Sequence, residues 1–366
     1  AGSLNGGMLM ARRSLGGGRF GVRTMLSAEP WTAPGCGSLN FLATGEVCDG
    51  DTIHDRQQPH DFVMELAVDY ERSLRGRWRW QVYAGLAGEP ALGPPGYPHR
   101  PSAATNPIGP VTHHWLDATH VTFGLVTLGA HNQRWKAEVS GFNGRGPDER
   151  RTDLDFGVFD SVAGRLSFLL TDRLALQVSA ARLREATTDF PFPSQPPVTR
   201  ATASAMYHVP FGSTGLWATT VALGATHARK AVSRGILDAT SVGALLESSL
   251  TVADRNTVFG RAEVGRIPAQ HVHAHEYSLS LFAVGRVQMG YVRHLPVAKG
   301  LVPGIGSSVS LSVLSTALAP RYFGRVARRR AVDHLTAALV SRDKSTVARH
   351  GLVASLRQID TRNVPS

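Results

Sequence analysis

The sequence predicts an antiparallel, up-and-down transmembrane β-barrel, and three observations carry that prediction. Apolar and polar residues alternate with period two in segments that recur from end to end. Each segment is close to the ~10 residues that a tilted membrane strand needs. The connections between segments are short and long by turns. A charged content of only 18 % and 38 glycines suit a β-rich chain with many turns. At 366 residues the chain has room for two ordinary domains or one large barrel. Uniform patterning favours the barrel, over residues 1–327.

In chain order, Met8 to Leu15 opens the pattern, and Gly16-Gly17-Gly18 turns it back. Phe20, Val22, Thr24, Leu26 and Ala28 then face away from Arg19, Arg23 and Glu29. The polar run His54-Asp55-Arg56-Gln57-Gln58-Pro59-His60-Asp61 leads into Phe62 to Leu74. There Phe62, Met64, Leu66, Val68 and Tyr70 form an apolar face, and Glu65, Asp69 and Glu71 lie in the other register. An amphipathic helix capped by Asp61 is the alternative, since Phe62, Leu66 and Tyr70 also fall at helical spacing. Recurrence decides for strand. Trp135, Ala137 and Val139 oppose Lys136, Glu138 and Ser140, and Leu174, Leu176 and Val178 oppose Gln177 and Ser179. Val258, Gly260, Ala262 and Val264 oppose Arg261 and Glu263, and Val287, Met289 and Tyr291 oppose Arg286 and Gln288. The run Gly300 to Pro320 is uncharged, but its Val/Leu–Ser alternation from Ser308 to Val313 reads as a strand and not as a membrane helix.

Short connections fall at Gly16-Gly17-Gly18, Arg75-Gly76-Arg77, His131-Asn132, Thr171-Asp172, Phe211 to Thr214, Ala253-Asp254 and Leu295 to Gly304. Long ones fall at about 30–61, 88–114, 143–159, 185–198, 227–238 and 267–276. Tight turns on one rim and long loops on the other are the mark of an outer-membrane barrel. The parity predicts 14 strands from Met8 to Leu314, one more on either side, and about 16 in a complete barrel. Residues 318–327, with Tyr322 and Phe323, are expected to begin the closing strand. Residues 328–366 read as a basic tail outside the barrel, disordered or weakly helical. Arg23, Glu65, Asp69, Lys136, Glu138, Gln177, Arg261, Glu263, Arg286 and Gln288 are expected to line the lumen. Trp78, Trp80, Trp115, Trp135, Trp217, Tyr277 and Tyr291, near strand ends, suit either interfacial girdles or ordinary core positions.

The net charge of +11 is uneven: residues 328–366 hold eight Lys/Arg against three Asp/Glu. With no basic helix or aromatic–basic platform elsewhere, a nucleic-acid partner is excluded. Two cysteines, Cys36 and Cys48, bound a small loop that a disulfide would close in an exported chain.

Histidine supplies the candidate chemistry. Nine of the thirteen histidines outside the tail gather toward the long-loop rim. His271, His273 and His275 alternate, so an extended chain sets three imidazoles on one face beside Glu276, a donor set that suits zinc or copper. The alternative is that they hydrogen-bond polar lumen groups and water. His54, Asp55, Arg56, His60 and Asp61, with His113, His114, Asp117 and His120, are the candidate lumen or loop binding residues. The competing account of the first group is a structural knot, with Arg56 paired to Asp55 or Asp61 and Pro59 fixing the turn. No cofactor is expected beyond such a Zn or Cu ion, and no phosphate-binding loop is present.

Several motifs together carry a family resemblance: His54 to Asp61, Gly88-Glu89-Pro90-Ala91-Leu92-Gly93-Pro94, His99-Arg100-Pro101-Ser102-Ala103, Thr112 to His120, Phe142-Asn143-Gly144-Arg145 and Asn256 to Glu263. On these the chain resembles an uncharacterised family of Gram-negative outer-membrane β-barrel proteins, over most of residues 7–327. The resemblance implies a barrel, a signal peptide upstream, an outer-membrane address and contact with outer-membrane lipid, but no settled activity. Such barrels usually end on a strand with a terminal aromatic, and this chain ends Val364-Pro365-Ser366.

Three functions follow. The first is a non-enzymatic pore, or a barrel binding small polar solutes or metal ions. The second is an outer-membrane lipid hydrolase in which His120 works with Thr122 and Asp117 or Asn106. The third is a soluble β-sandwich binding protein.

Overall fold

The structure, a computed structural model, describes residues 6–44, 46–49, 51–184, 197–232, 235–272, 280–295, 301–318 and 331–343. One antiparallel sheet contains every long strand, in sequence order. Its members are β1 (Gly6–Leu15), β2 (Gly18–Ser27), β3 (Val63–Ser73), β4 (Arg79–Gly88), β5 (Thr122–His131), β6 (Trp135–Phe142), β7 (Ser161–Thr171) and β8 (Leu174–Leu183). It continues through β9 (Val198–Phe211), β10 (Gly215–Val232), β11 (Gly235–Val252), β12 (Asn256–Pro268), β13 (Leu281–His294), β14 (Leu301–Leu314) and β15 (Ala331–Asp343). Strands pair only with their sequence neighbours, so the architecture is up-and-down and not a pair of stacked sheets. The predicted strand over 62–74 is β3, and the helical alternative there is not taken.

Alternation sets the two faces. On β11, Leu246 is 48 % exposed on the outer face while its neighbour Glu247, pointing inward, is 1 % exposed. Val178, Val221, Val264 and Val287 share the outer face with Leu246, and Gln177, Glu263, Arg286 and Gln288 are buried on the inner one. An exposed apolar band around a polar interior reverses the polarity of a water-soluble core and matches a lipid surround. All ten predicted lumen residues lie on this inner face, buried or half-buried.

The tight turns obey their own chemistry. Gly16 and Gly17 both have positive φ, 56° and 77°, as the two-residue hairpin between Leu15 and Gly18 requires. Most of the predicted aromatics gather at this short-turn rim. Tyr70 packs on Trp80, Trp135 on Phe168 and Tyr207 on Trp217, each pair beside a tight turn, as an interfacial belt does. Trp115 takes the other of the two expected places: it is buried inside the barrel. Tyr277 lies outside the described residues.

Two further departures concern length. Between β10 and β11 the sequence predicts a long loop over 227–238, but the ladder runs on through Val232↔Gly235, giving two 18-residue strands. These overreach the ~10 residues a membrane crossing needs and so project beyond the long-loop rim. At the other end, residues 331–343, expected as part of a disordered or weakly helical tail, form β15 on β14, from Leu301↔Asp343 to Ser312↔Ala331. The physical reason is the ladder itself: β14 would otherwise leave a full row of unpaired amides and carbonyls at a sheet edge. Residues 319–330, in which the closing strand was expected, and 344–366 lie outside the described residues.

Candidate functional site

The long connection after β4, residues 89–121, does not project outward. It turns into the barrel and is bound to walls far apart in the sheet. On one side Ala91 N–H donates to Ser140 Oγ of β6 (2.7 Å) and Gly93 N–H to Ser179 Oγ of β8 (2.8 Å). On the other side Ser102 Oγ donates to Glu247 (2.9 Å), Thr112 Oγ1 to Glu263 (2.9 Å) and Asn106 Nδ2 to Gln288 (2.8 Å). These partners lie on β11, β12 and β13, so the sheet curls round the loop.

Cross-strand registers organise the attachment into rows. Glu247 faces Arg261 and Glu263 faces Arg286, with Nε–Oε2 distances of 3.1 and 3.3 Å. Both arginines also donate to the loop's backbone, Arg261 to Ile108 O (2.6 Å) and Arg286 to Gly109 O (2.9 Å), and Arg286 reaches Asn40 Oδ1 and Phe41 O of the first long connection as well. The loop returns one cation, Arg100, which is wholly buried. It donates from Nε to Glu247 (2.6 Å) and from Nη1 to Asp117 and to Pro95 O. Buried charges are tolerable only when paired and hydrogen-bonded in this way. Arg100, close to both carboxylates, holds Asp117 well below the usual carboxylate range despite its burial.

One row nearer the long-loop rim the wall turns to glycine. Gly224, Gly243 and Gly265 lie side by side on β10, β11 and β12. A Cβ at Gly243 would stand 2.8 Å from the Trp115 ring, and one at Gly224 would strike the Trp115 carbonyl. The three glycines are therefore the socket that receives Trp115, whose Nε1 donates to Ser241 Oγ at 2.9 Å. Leu42, Leu116, Leu245, Ile267 and Phe282 seal the surroundings as an apolar cluster.

Toward the rim a solvent-connected cleft with a cavity volume of about 110 Å³ is lined by Asn40, Thr44, Gln57, His60, Asp61, Tyr97, His113, His114, His120 and Arg151, among others. Three connections build it: the inward loop, the first long connection (28–62) and the connection after β6 (143–160). The first long connection is braced by the ribbons Ser38–Leu39/Arg56–Gln57 and Glu46–Cys48/Asp51–Ile53. It is also closed by the Cys36–Cys48 disulfide, with Cα atoms 5.5 Å apart.

Of the nine candidate loop residues, the structure brings His60, Asp61, His113, His114 and His120 to this cleft, with Asp117 beneath it. His60 Nδ1 meets Glu29 Oε2 at 3.0 Å, His113 Nδ1 meets Asp117 Oδ1 at 2.8 Å, and His120 Nδ1 meets the Asp117 carbonyl at 2.9 Å. Burial, with His113 and His60 close by, pushes His120 well below the usual imidazole range. Burial raises Asp61 to about 6 although Arg151 stands 3.3 Å away. Here the expected pairing is corrected: Asp61 takes Arg151 rather than Arg56, which reaches toward Gly37 O. Asp55 instead accepts from Leu42 N–H (2.7 Å) and contacts His54, so these two residues and Arg56 hold the loop's shape away from the cleft.

His273 and His275 lie outside the described residues, and His271 sits in the short helix Ala269–Val272. The hydrolase constellation is not assembled around His120. Thr122 Oγ1 donates to Thr119 O at 3.2 Å, and Asn106 is spent on Gln288. Sequence reading missed Arg100, Trp115 and the glycine row as site-building residues. Only strand register reveals that three glycines from three strands share one level.

No family model matches the chain, and no curated protein does. Among solved structures it is similar to an anion-selective porin from Comamonas acidovorans, at 13 % identity and a TM-score of 0.49, covering 92 % of this chain and 84 % of that one. It is also similar to OccK5 (OpdH) of Pseudomonas aeruginosa, at 11 % identity and a TM-score of 0.40, with 90 % and 82 % covered. The Escherichia coli capsule-assembly barrel Wzi is matched at 9 % identity and a TM-score of 0.36, with 90 % and 68 % covered. At such identities the assignment rests on the molecule's own features: consecutive antiparallel strands, an apolar outer band, a charged interior and an inward loop. These define an outer-membrane β-barrel of porin-like design.

Proposed function

We propose that this barrel is a non-enzymatic outer-membrane protein that admits small polar solutes or metal ions from the long-loop rim and holds them above a fixed constriction. The observation that carries the reading is the inward loop, residues 89–121, bound by side chains of β6, β8, β11, β12 and β13. A loop anchored at that many points narrows a lumen without being free to swing out of it. The cleft above it supplies imidazole, amide and guanidinium groups, the polar lining expected of a solute site. Charges of both signs in the interior favour weak discrimination between cations and anions. Outer-membrane lipid is the partner of the apolar band. The test is swelling of proteoliposomes in sugars and amino acids of graded size, beside planar-bilayer conductance. Size-limited permeation of small solutes supports the reading, and liposomes as tight as protein-free ones overturn its pore component.

A further inference from the structure

Three imidazoles meet in the cleft: His60 from the first long connection, and His113 and His120 from the inward loop. Their rings touch edge to face, with centroids 5.3 Å apart for His60–His120 and 5.0 Å for His113–His120. In each ring Nδ1 lies against an oxygen, a carboxylate of Glu29 or Asp117 or the carbonyl of residue 117. Those oxygens only accept, so Nδ1 carries the ring hydrogen and Nε2 offers a lone pair. Yet the Nε2 atoms of His60 and His120 face each other at 3.2 Å. Two lone pairs do not bond one another, and at that separation they ask for an electrophile between them.

The distance identifies its kind. Two imidazole nitrogens bound at about 2.05 Å to one tetrahedral ion lie about 3.3 Å apart. We propose that Nε2 of His60 and Nε2 of His120 together bind a divalent transition-metal ion of the zinc, copper or nickel class. Imidazole donors suit those ions better than calcium or magnesium, which take oxygen. The Glu29 carboxylate behind His60 and the Asp117 backbone carbonyl behind His120 then act as outer-sphere acceptors that fix tautomer and ring orientation. The Tyr97 hydroxyl accepts from Gln57 Nε2 (2.7 Å) and donates to His60 Nε2 over a long 3.3 Å, a hydrogen bond that the ion would displace. The remaining coordination positions face the cleft and are open to water or a solute ligand. Neither ligand belongs to the His271–His273–His275 run. The inference deepens the solute-binding reading and rests on it in one respect, that the cleft is reached from the long-loop rim.

The experiment uses the full chain, folded in detergent micelles and stripped with chelator, then titrated calorimetrically with Zn²⁺. A parallel sample is loaded with Cu²⁺ for electron paramagnetic resonance. One zinc per chain is expected, with nitrogen hyperfine structure on copper. His60→Gln and His120→Gln should each weaken zinc binding at least tenfold, and Glu29→Gln, which touches no metal, by about 10–100-fold. Unchanged affinity in His60→Gln and His120→Gln overturns the proposal, as does absence of zinc binding to the folded wild type, which would leave a shared proton between the rings. Loss of binding only in a His271/His273/His275 triple variant also overturns it, by placing the ion elsewhere. Heat-modifiable mobility checks folding, and should His120→Gln fail to fold, His60→Gln and Glu29→Gln decide. Liposome swelling with stripped protein separates the two readings. Swelling without zinc binding sinks the metal site alone, and zinc binding without swelling sinks the pore alone.

Discussion

Removing Arg100 is the sharpest test of how the lumen is filled. Its guanidinium joins Glu247 on the wall to Asp117 and Pro95 O on the inward loop, at no exposure to solvent. Taking one partner from a buried ion pair costs about 3–5 kcal/mol, because the remaining charge is stranded. Here neither carboxylate is stranded completely. Glu247 keeps Arg261 (3.1 Å) and Ser102 (2.9 Å), and Asp117 keeps His113 (2.8 Å). The low end, about 3 kcal/mol, is therefore expected for Arg100→Ala. The other anchors from Ser102, Asn106 and Thr112 to the wall survive, each worth about 1 kcal/mol net and more where the acceptor is charged. The loop should loosen without leaving. Urea unfolding in lipid vesicles reads the first effect as a lowered midpoint at constant slope, and amide exchange across residues 89–121 reads the second. A midpoint change worth less than about 1 kcal/mol, with exchange in the loop unaltered, would refute the claim that this knot holds the constriction.

Other perturbations probe the remaining layers. Leu246→Arg, on the outer face, should destabilise the barrel in bilayers by about 2–4 kcal/mol; comparable stability in vesicles would contradict the lipid-facing assignment. Gly243→Ala places a methyl 2.8 Å from the Trp115 ring. Overpacking of that kind costs about 1–3 kcal/mol and should shift Trp115 fluorescence as the ring leaves its socket. Burial raises Glu89 from its ordinary 4.5 to about 7 in spite of Arg165 at 3.8 Å. The folded chain then binds more protons than the unfolded chain between those values, so stability falls as pH rises from about 4.5 to about 7. Glu89→Gln should flatten that slope in pH-dependent urea midpoints. Reducing Cys36–Cys48, which closes a loop with a sequence separation of 12, should cost about 3 kcal/mol on chain-entropy grounds. The loss should be seen as earlier thermal unfolding in dithiothreitol.

The parts legible from sequence are those that one-dimensional periodicity encodes. Alternation put Glu65, Asp69, Glu138, Arg261, Glu263 and Arg286 on one face because a strand's side chains alternate whatever surrounds them. Turn parity was legible for the same local reason, since Gly16-Gly17 makes a two-residue hairpin from its own φ preferences. It failed at 227–238, where nothing local separates a strand that leaves the membrane from a loop that does. Parity also called for one more strand after Leu314; the strand at 331–343 departs only from the reading of the tail, where pairing demand from the edge of β14 outweighed a weak helical pattern. The site was half legible. His60, His113 and His120 were singled out as loop residues, but their meeting depends on two connections 50 residues apart folding into the same barrel. Arg100 and Trp115 fell within the motifs that carry the family resemblance, but nothing marked them as site-building, because an Arg or Trp in a loop is ordinary until the wall opposite is known.

The two sets of attachments explain why the constriction and the cleft differ in character. Below, the loop is fixed by charge rows and by a ring in a glycine socket, contacts that reinforce one another. Above, the same loop contributes His113 and His120 to a cleft whose third imidazole, His60, arrives on a separate chain segment braced by a disulfide. Fixing the loop from beneath therefore fixes His120 as well, and only the His60 segment is left to adjust the 3.2 Å separation. Loosening the base through Arg100→Ala should accordingly weaken zinc binding although Arg100 touches neither imidazole. Zinc affinity unchanged in Arg100→Ala, in the presence of faster exchange across the loop, would show that the cleft is assembled independently of the constriction.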